Sequence, residues 1–292
     1  MRHLLLLFCL MAAVTQAQGT SCDRSCLRQM LDKYLTAVIK HEPAAAQLSD
    51  DHFATQNTVV VHNGEGFWKG VTGVGEAQGR YFDPVNETAA FLGLLKRDGH
   101  DSITSVRIRI VAGKVSEAEW VTGELGMGGQ GEADPQGLVR VPPSTELLPA
   151  ARRASRYAMI SLANNYFQAN KDHDASWLPD DPTCVRVENG IASDRPGATT
   201  LGPGCLSGFN KMDSFTTDIA LRRFTVVDEE AGMILGTGIY VRYAGTNRRD
   251  NLVSEYFQIR DGKIHRIWSA MHFLPLGAPV THGWEQRHGI WR

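Results

Sequence analysis

The sequence predicts an α+β protein in which one unit, a helix followed by antiparallel strands, occurs twice. Three observations carry that expectation: two helical segments and the polar corners after them recur in register, each copy ends in a β-hairpin, and an aperiodic Gly- and Pro-rich stretch separates the copies.

The chain has 292 residues, of which 42% are hydrophobic and 21% charged, so neither disorder nor a coiled coil fits. With 30 Lys+Arg against 32 Asp+Glu the net charge is -2 and no long run of like charge occurs, which argues against nucleic-acid and anionic-membrane partners.

In chain order, Met1, Arg2 and His3 give a short basic start, Leu4 to Met11 an apolar run and Ala12 to Ala17 a small-residue stretch. This reads as a secretory signal peptide cleaved after Ala17, so the protein is expected to be secreted or periplasmic. The run is too short to span a bilayer, and no later stretch approaches the roughly 18 apolar residues a span needs.

Cys9 leaves with that segment, and Cys22, Cys26, Cys184 and Cys205 remain, an even number suited to an oxidising compartment. Four cysteines allow three connectivities, and closeness in sequence favours Cys22-Cys26 and Cys184-Cys205. Residues i and i+4 within a helix stand about 5 to 6 Å apart at Cβ, whereas a disulfide needs about 3.8 Å. Cys22 should therefore sit just outside the first helix, where Ser21 and Asp23 can cap. With no CxxC and no HExxH, no metal site is expected.

Leu27 to His41 carries Leu27, Met30, Leu31, Tyr34, Leu35, Val38 and Ile39 at helical spacing and runs into the corner 48–57. Tyr157 to Asn170 repeats this with Ile160, Leu162, Ala163, Tyr166 and Phe167, and runs into 178–189. Tyr34 to Tyr166 and Asn57 to Asn189 are both separations of 132 residues. The acidic pair Asp50-Asp51 recurs as Asp180-Asp181 without His52, which favours a structural corner over Asp-His chemistry. Strands are expected at 79–82, 88–97, 217–227 and 233–243. The hairpins turn at Ala112-Gly113-Lys114 and Asp261-Gly262-Lys263. Gly113 to Gly262 is a separation of 149, so the second copy carries about 17 extra residues in its middle. The expected organisation is a signal peptide at 1–17, a first unit at 18–121, a linker at 122–149 and a second unit at 150–292. Within the linker Gly126, Gly128 and Gly131 mimic a dinucleotide loop, but the required helix is not expected to follow, because Glu132 to Pro135 runs into Pro142-Pro143, and no βαβ unit surrounds it, so no cofactor is expected. Asn86-Glu87-Thr88 is a glycosylation sequon that has meaning in a eukaryotic host.

Several motifs carry a resemblance. They are Cys22 and Cys26 before the first helix, Gly66-Phe67-Trp68, Tyr81 to Pro84, Arg186 to Gly190, Phe224 to Glu230, Asp261 to Lys263 and His282-Gly283-Trp284. On these the chain resembles the NTF2-like superfamily in both halves, and within it the secreted, tandem SnoaL-like proteins. The resemblance implies two tandem NTF2-like cones, each a helix packed on a curved antiparallel sheet. It also implies sheet-to-sheet pairing of the copies as an intramolecular pseudo-dimer, with further oligomerisation allowed. Cone proteins of this kind include dehydratases and isomerases, so function must be argued from the site.

Chemistry inside a cone needs titratable groups in apolar strand parity. Glu255 alternates with Val253, Phe257 and Ile259, and burial there would raise its pKa into the working range of a general acid or base. Trp268, Ala270 and His272 share a parity on the next strand, making His272 a candidate partner and Trp268 a candidate substrate contact. Arg186 and Glu188 share a face, as an oxyanion donor and a base or as a plain ion pair. Tyr166 offers a hydroxyl from the helix, with Tyr240 and Arg242 as further contacts, while Tyr34 and Trp68 would line the first cone. Gln56 stands where the second copy has Glu188, which points to the second copy as the active one. The expected function is an exported, cofactor-independent lyase of dehydratase type, or an isomerase, acting on a small oxygenated molecule. The alternative is a non-catalytic module that binds a hydrophobic small molecule or a protein.

Overall fold

The computed structural model describes residues 21–123, 132–194 and 202–287. The expected signal peptide and the Gly126-to-Gly131 segment lie outside the described residues.

Helix α1 (Arg24–Ile39) starts at Asp23, whose carboxylate accepts from the Cys26 N–H at 2.8 Å. It buries Leu27, Leu31, Tyr34, Leu35 and Val38 along one face. Then come β1 (Leu48–Gln56), β2 (Val59–Val61), the short α2 (Phe67–Gly70), β3 (Val71–Asp83), β4 (Thr88–Arg97), β5 (His100–Val111) and β6 (Lys114–Thr122), in the order β2-β1-β6-β5-β4-β3. The stretch expected to be structureless linker holds α3 (Pro135–Arg140), capped by Asp134, which accepts from the Gly137 N–H at 2.9 Å. The second half repeats the plan with α4 (Arg156–Asp172), β7 (Val185–Glu188), β8 (Ile191–Ala192), β9 (Thr216–Asp228), β10 (Met233–Arg242), β11 (Asn251–Arg260) and β12 (Lys263–Phe273), in the order β8-β7-β12-β11-β10-β9. Both halves are α+β, with a helix across a curved six-stranded sheet, the architecture expected of an NTF2-like cone. The sheets are mixed and not wholly antiparallel, because β1 pairs with β6, and β7 with β12, in parallel.

The hairpins turn on two residues of positive φ, Ala112-Gly113 and Asp261-Gly262, as a turn matched to the strand twist requires. Two residue pairs beyond each turn the register slips by one, between Arg109 and Ile110 in the first copy and between Gln258 and Ile259 in the second. Each hairpin thus carries a β-bulge. The extra residues of the second copy fall in the segment between β8 and β9 and in the loop between β10 and β11.

Three cores result. One fills the first cone around Tyr34, Trp68 and Trp120, and one fills the second around Tyr166, Phe167 and Phe257. The third lies between the sheets, where Tyr81, Leu92, Ile103 and Val121 of the first half meet Leu235, Leu252, Tyr256 and Trp268 of the second. The pairing is reciprocal. Asp83 accepts from the Val227 N–H at 3.0 Å and takes both arms of Arg156 at 2.7 Å, while Asp228 accepts from the Phe82 N–H at 2.9 Å and from Arg24 at 2.6 Å. At one edge Glu119 receives Arg223 at 2.6 and 3.2 Å and faces Arg107 at 3.4 Å, under the ring of Trp284.

Both disulfides form as sequence proximity favoured, Cys22 with Cys26 and Cys184 with Cys205. The second closes a separation of 21 residues. The chain-entropy argument gives a loop of that size about 3 kcal/mol. Replacing both cysteines with serine should therefore lower the urea midpoint by that equivalent, whereas the separation of 4 at Cys22–Cys26 constrains far less chain. No helix among the described residues is long and apolar enough to cross a membrane.

Candidate functional site in the second cone

Strand register places one row of side chains across the inner wall of each cone, because directly paired residues share a face. In the second cone the row is Glu188, Ser269, Glu255 and Gly236 on β7, β12, β11 and β10. In the first it is Gln56, Trp120, Val106 and Phe91. The first cone is filled by its own aromatics: the Trp120 indole donates to the Tyr34 hydroxyl at 3.1 Å, Phe67 stacks on Trp120 with centroids 4.8 Å apart, and Trp68 packs edge-on against Tyr34. Tyr34 and Trp68, expected to line a pocket, are buried core residues. In the second cone Ser269 and Gly236 stand where the first has an indole and a phenyl ring.

Around that row the expected candidates largely converge. Arg186, one turn of the pleat from Glu188, is fully buried. Its Nη1 donates to the Cys205 carbonyl at 2.9 Å, and its Nε faces Glu188 Oε1 at 3.0 Å. Burial opposes its charge, but Glu188 and Tyr166 outweigh burial and hold its pKa above the ordinary value. Tyr166 enters from α4 and packs edge-on against Phe209 and Phe257 at 5.4 and 5.1 Å. Glu255 is 2% exposed, and its Oε2 accepts no hydrogen bond. Burial is the main reason its pKa rises to about 8, Glu188 adds to the rise, and Arg186 opposes it. Tyr166 and Tyr240 are both pushed up, by burial first and by Glu255 second. Arg242 lies over the Tyr240 and Phe215 rings, and burial lowers its pKa to about 10.

Two expected members face the other way. Trp268 belongs to the core between the sheets and donates to the Val141 carbonyl at 2.9 Å. His272 pairs with Leu252, also of that core, so it does not share a face with Glu255. The bulge is the cause. Counting straight back from the turn pairs Glu255 with Trp268, but the register slip pairs it with Ser269, so beyond the slip the odd-numbered residues of β12 face the cone. Asn189 is also structural: its side chain accepts from the Met271 N–H and donates to the Met271 carbonyl, as Asn57 accepts from the Thr122 N–H. Neither Ser269 nor Gly236 stands out in the sequence, although aligning the last hairpins of the two copies sets Ser269 against Trp120, and the strand register sets Gly236 against Phe91.

The wall over the cluster comes from the second copy's insertion. Phe209 and Met212, on the 3-10 helix Phe209–Ser214, are buried in the cone core beside Cys205. On their outer side His173 to Pro182 and Pro203 to Asn210 form an open groove, which shares Leu178 and Phe209 with that core. Glu188 reaches solvent, with a side chain 23% exposed. Among the described residues no group of three His, Cys, Asp or Glu is placed to hold a metal ion.

A family model described as a domain of unknown function (DUF8021) matches residues 152–271, from just before α4 into β12. No curated protein matches the chain. Similar solved structures include a de novo designed protein with a curved β-sheet, 13% identical with a TM-score of 0.30, covering 42% of this chain and 90% of that one. A candidate isomerase from Bacillus subtilis is 12% identical with a TM-score of 0.30, covering 46% and 94%. An NTF-2 like protein of unknown function from Burkholderia xenovorans LB400 is 16% identical with a TM-score of 0.29, covering 45% and 92%.

Proposed function

We propose that the second cone is the site of an exported, cofactor-independent enzyme, a SnoaL-like lyase of dehydratase type or an isomerase acting on a small molecule with a carbonyl. The observation that carries this reading is the convergence of Glu255, the Tyr166 and Tyr240 phenols and the Arg186–Glu188 ion pair in a cone whose twin has none of the charged groups. Two carboxylates in unlike environments divide the labour of acid and base. Below pH 8 Glu255 keeps its proton and, with the phenols, donates toward an oxygen that gains charge. Glu188, held beside Arg186, takes the proton from the carbon next to the carbonyl. The C–H electron pair becomes a C=C bond as the carbonyl π pair moves onto the oxygen, giving an enolate. In an isomerisation the proton returns from Glu188 to a second carbon; in a dehydration the β-hydroxyl departs with the proton of Glu255. The two disulfides fit export to an oxidising compartment.

The test is proton exchange in D2O, followed by NMR, over a panel of enolisable ketones and β-hydroxy ketones. Glu188→Gln should slow exchange at the α-carbon by about 10²–10⁴-fold, the range of a positioned general base. Exchange that is equal in the wild type and in Glu188→Gln would leave the cone as a binding module.

A further inference from the structure

Glu255 is sealed from solvent, yet turnover at a buried acid requires its proton to be replaced. Between Glu255 and the partly exposed Glu188 stands one residue, Ser269, paired with Glu255 on one side and with Glu188 on the other. It is 1% exposed, and its hydroxyl has no hydrogen-bond partner. A buried hydroxyl left unsatisfied is costly, and a purely structural cone would replace it with an apolar group. The first cone does so: with Val106 and Gln56 in place of the two carboxylates, the middle position is Trp120. Hydroxyl and carboxylates occur together in one copy and are absent together from the other.

We propose that Ser269 is a proton-relay residue connecting Glu255 to Glu188 and, through Glu188, to solvent. This rests on the acid/base reading of the same site. Side chains paired across a sheet stand about 5 Å apart at Cβ, within the reach of a glutamate arm on either side of a serine. In the relay the Glu255 O–H bond breaks as a new O–H bond forms at Ser269 Oγ. The original Ser269 proton passes to a Glu188 carboxylate oxygen, and Glu188 exchanges it with water at its exposed edge. The reverse sequence reloads Glu255. The other groups facing Glu255 are less suited. The Tyr166 hydroxyl is engaged by Arg186, Tyr240 stands on β10 on the side of Glu255 away from Glu188, and Arg186 is committed to Glu188 and the Cys205 carbonyl.

The experiment uses the full chain with ¹³C-labelled glutamate side chains, comparing wild type, Ser269→Ala and Ser269→Thr. Titration gives the Glu255 midpoint, and relaxation dispersion near that midpoint gives its proton-exchange rate. The relay requires exchange in Ser269→Ala to be at least tenfold slower with the midpoint unmoved, and restored by the hydroxyl of Ser269→Thr. Unchanged exchange in Ser269→Ala would overturn it, as would slowing that Ser269→Thr does not rescue. The wild-type midpoint separately tests the acid/base reading, because the ratio of rates can be read at whatever pH Glu255 titrates.

Discussion

Glu255→Gln is expected to make the protein more stable than the wild type at pH 8, by about 3–5 kcal/mol, and no more stable at pH 4. Glu255 has a pKa near 8 in the fold against an ordinary 4.5. A carboxyl whose folded pKa is raised contributes its stability fully below the unfolded value. That contribution is lost as pH rises from about 4.5 through 8, at about 1.4 kcal/mol per unit. Glutamine has the same shape and never ionises, so it escapes the loss. Urea denaturation of both proteins from pH 4 to 9 should show the two curves together at the acid end and diverging through neutrality. Parallel curves would mean that Glu255 is hydrated and the cone open. A side chain whose removal strengthens the fold is held there for some other reason, and groups tuned for chemistry characteristically carry that cost.

Glu119→Gln is expected to do the opposite, destabilising the protein by about 3–5 kcal/mol at pH 7. Glu119 is as buried as Glu255, but Arg223 and Arg107 outweigh the burial and bring its pKa down to about 2. Removing the charge leaves Arg107, itself 4% exposed, with Glu117 alone, and breaking one partner of a buried ion pair has this cost. Here the folded pKa is depressed, so the stability is present above the unfolded value of 4.5 and lost as pH falls from there toward 2. The loss in Glu119→Gln should therefore shrink on acidification and vanish near pH 2. A loss independent of pH would assign the effect to packing under Trp284 and not to charge.

The elements legible in the sequence were those set by short-range periodicity. Tyr34 and Tyr166 fell on buried helix faces, Arg186 and Glu188 on one strand face, and Glu255 in an apolar row, because parity within one element needs no knowledge of its neighbours. Trp268 and His272 were misplaced because their relation to Glu255 runs across two strands, and a single bulge after the Asp261-Gly262 turn reverses it. Helix α3 was hidden by Gly137 inside a Gly- and Pro-rich run. Its carbonyl neighbour is why glycine stands there: a Cβ would meet the Gly190 oxygen at 1.9 Å. Ser269 carries no motif and becomes visible only against Trp120 at the matching position of the first copy.

The crossed anchors Arg24–Asp228 and Arg156–Asp83 tie the start of each helix to the far end of the opposite sheet. In a dimer of two identical chains that same isologous pairing would force every substitution to appear twice. An indole at the Ser269 position would then fill both cones at once. Carrying both copies on one chain lifts that constraint: one cone can be packed with aromatics alone while the other keeps buried charged groups beside its aromatics. The fused architecture thus lets a single protein hold one cone lined by its own aromatics and one lined by buried charge on the same plan.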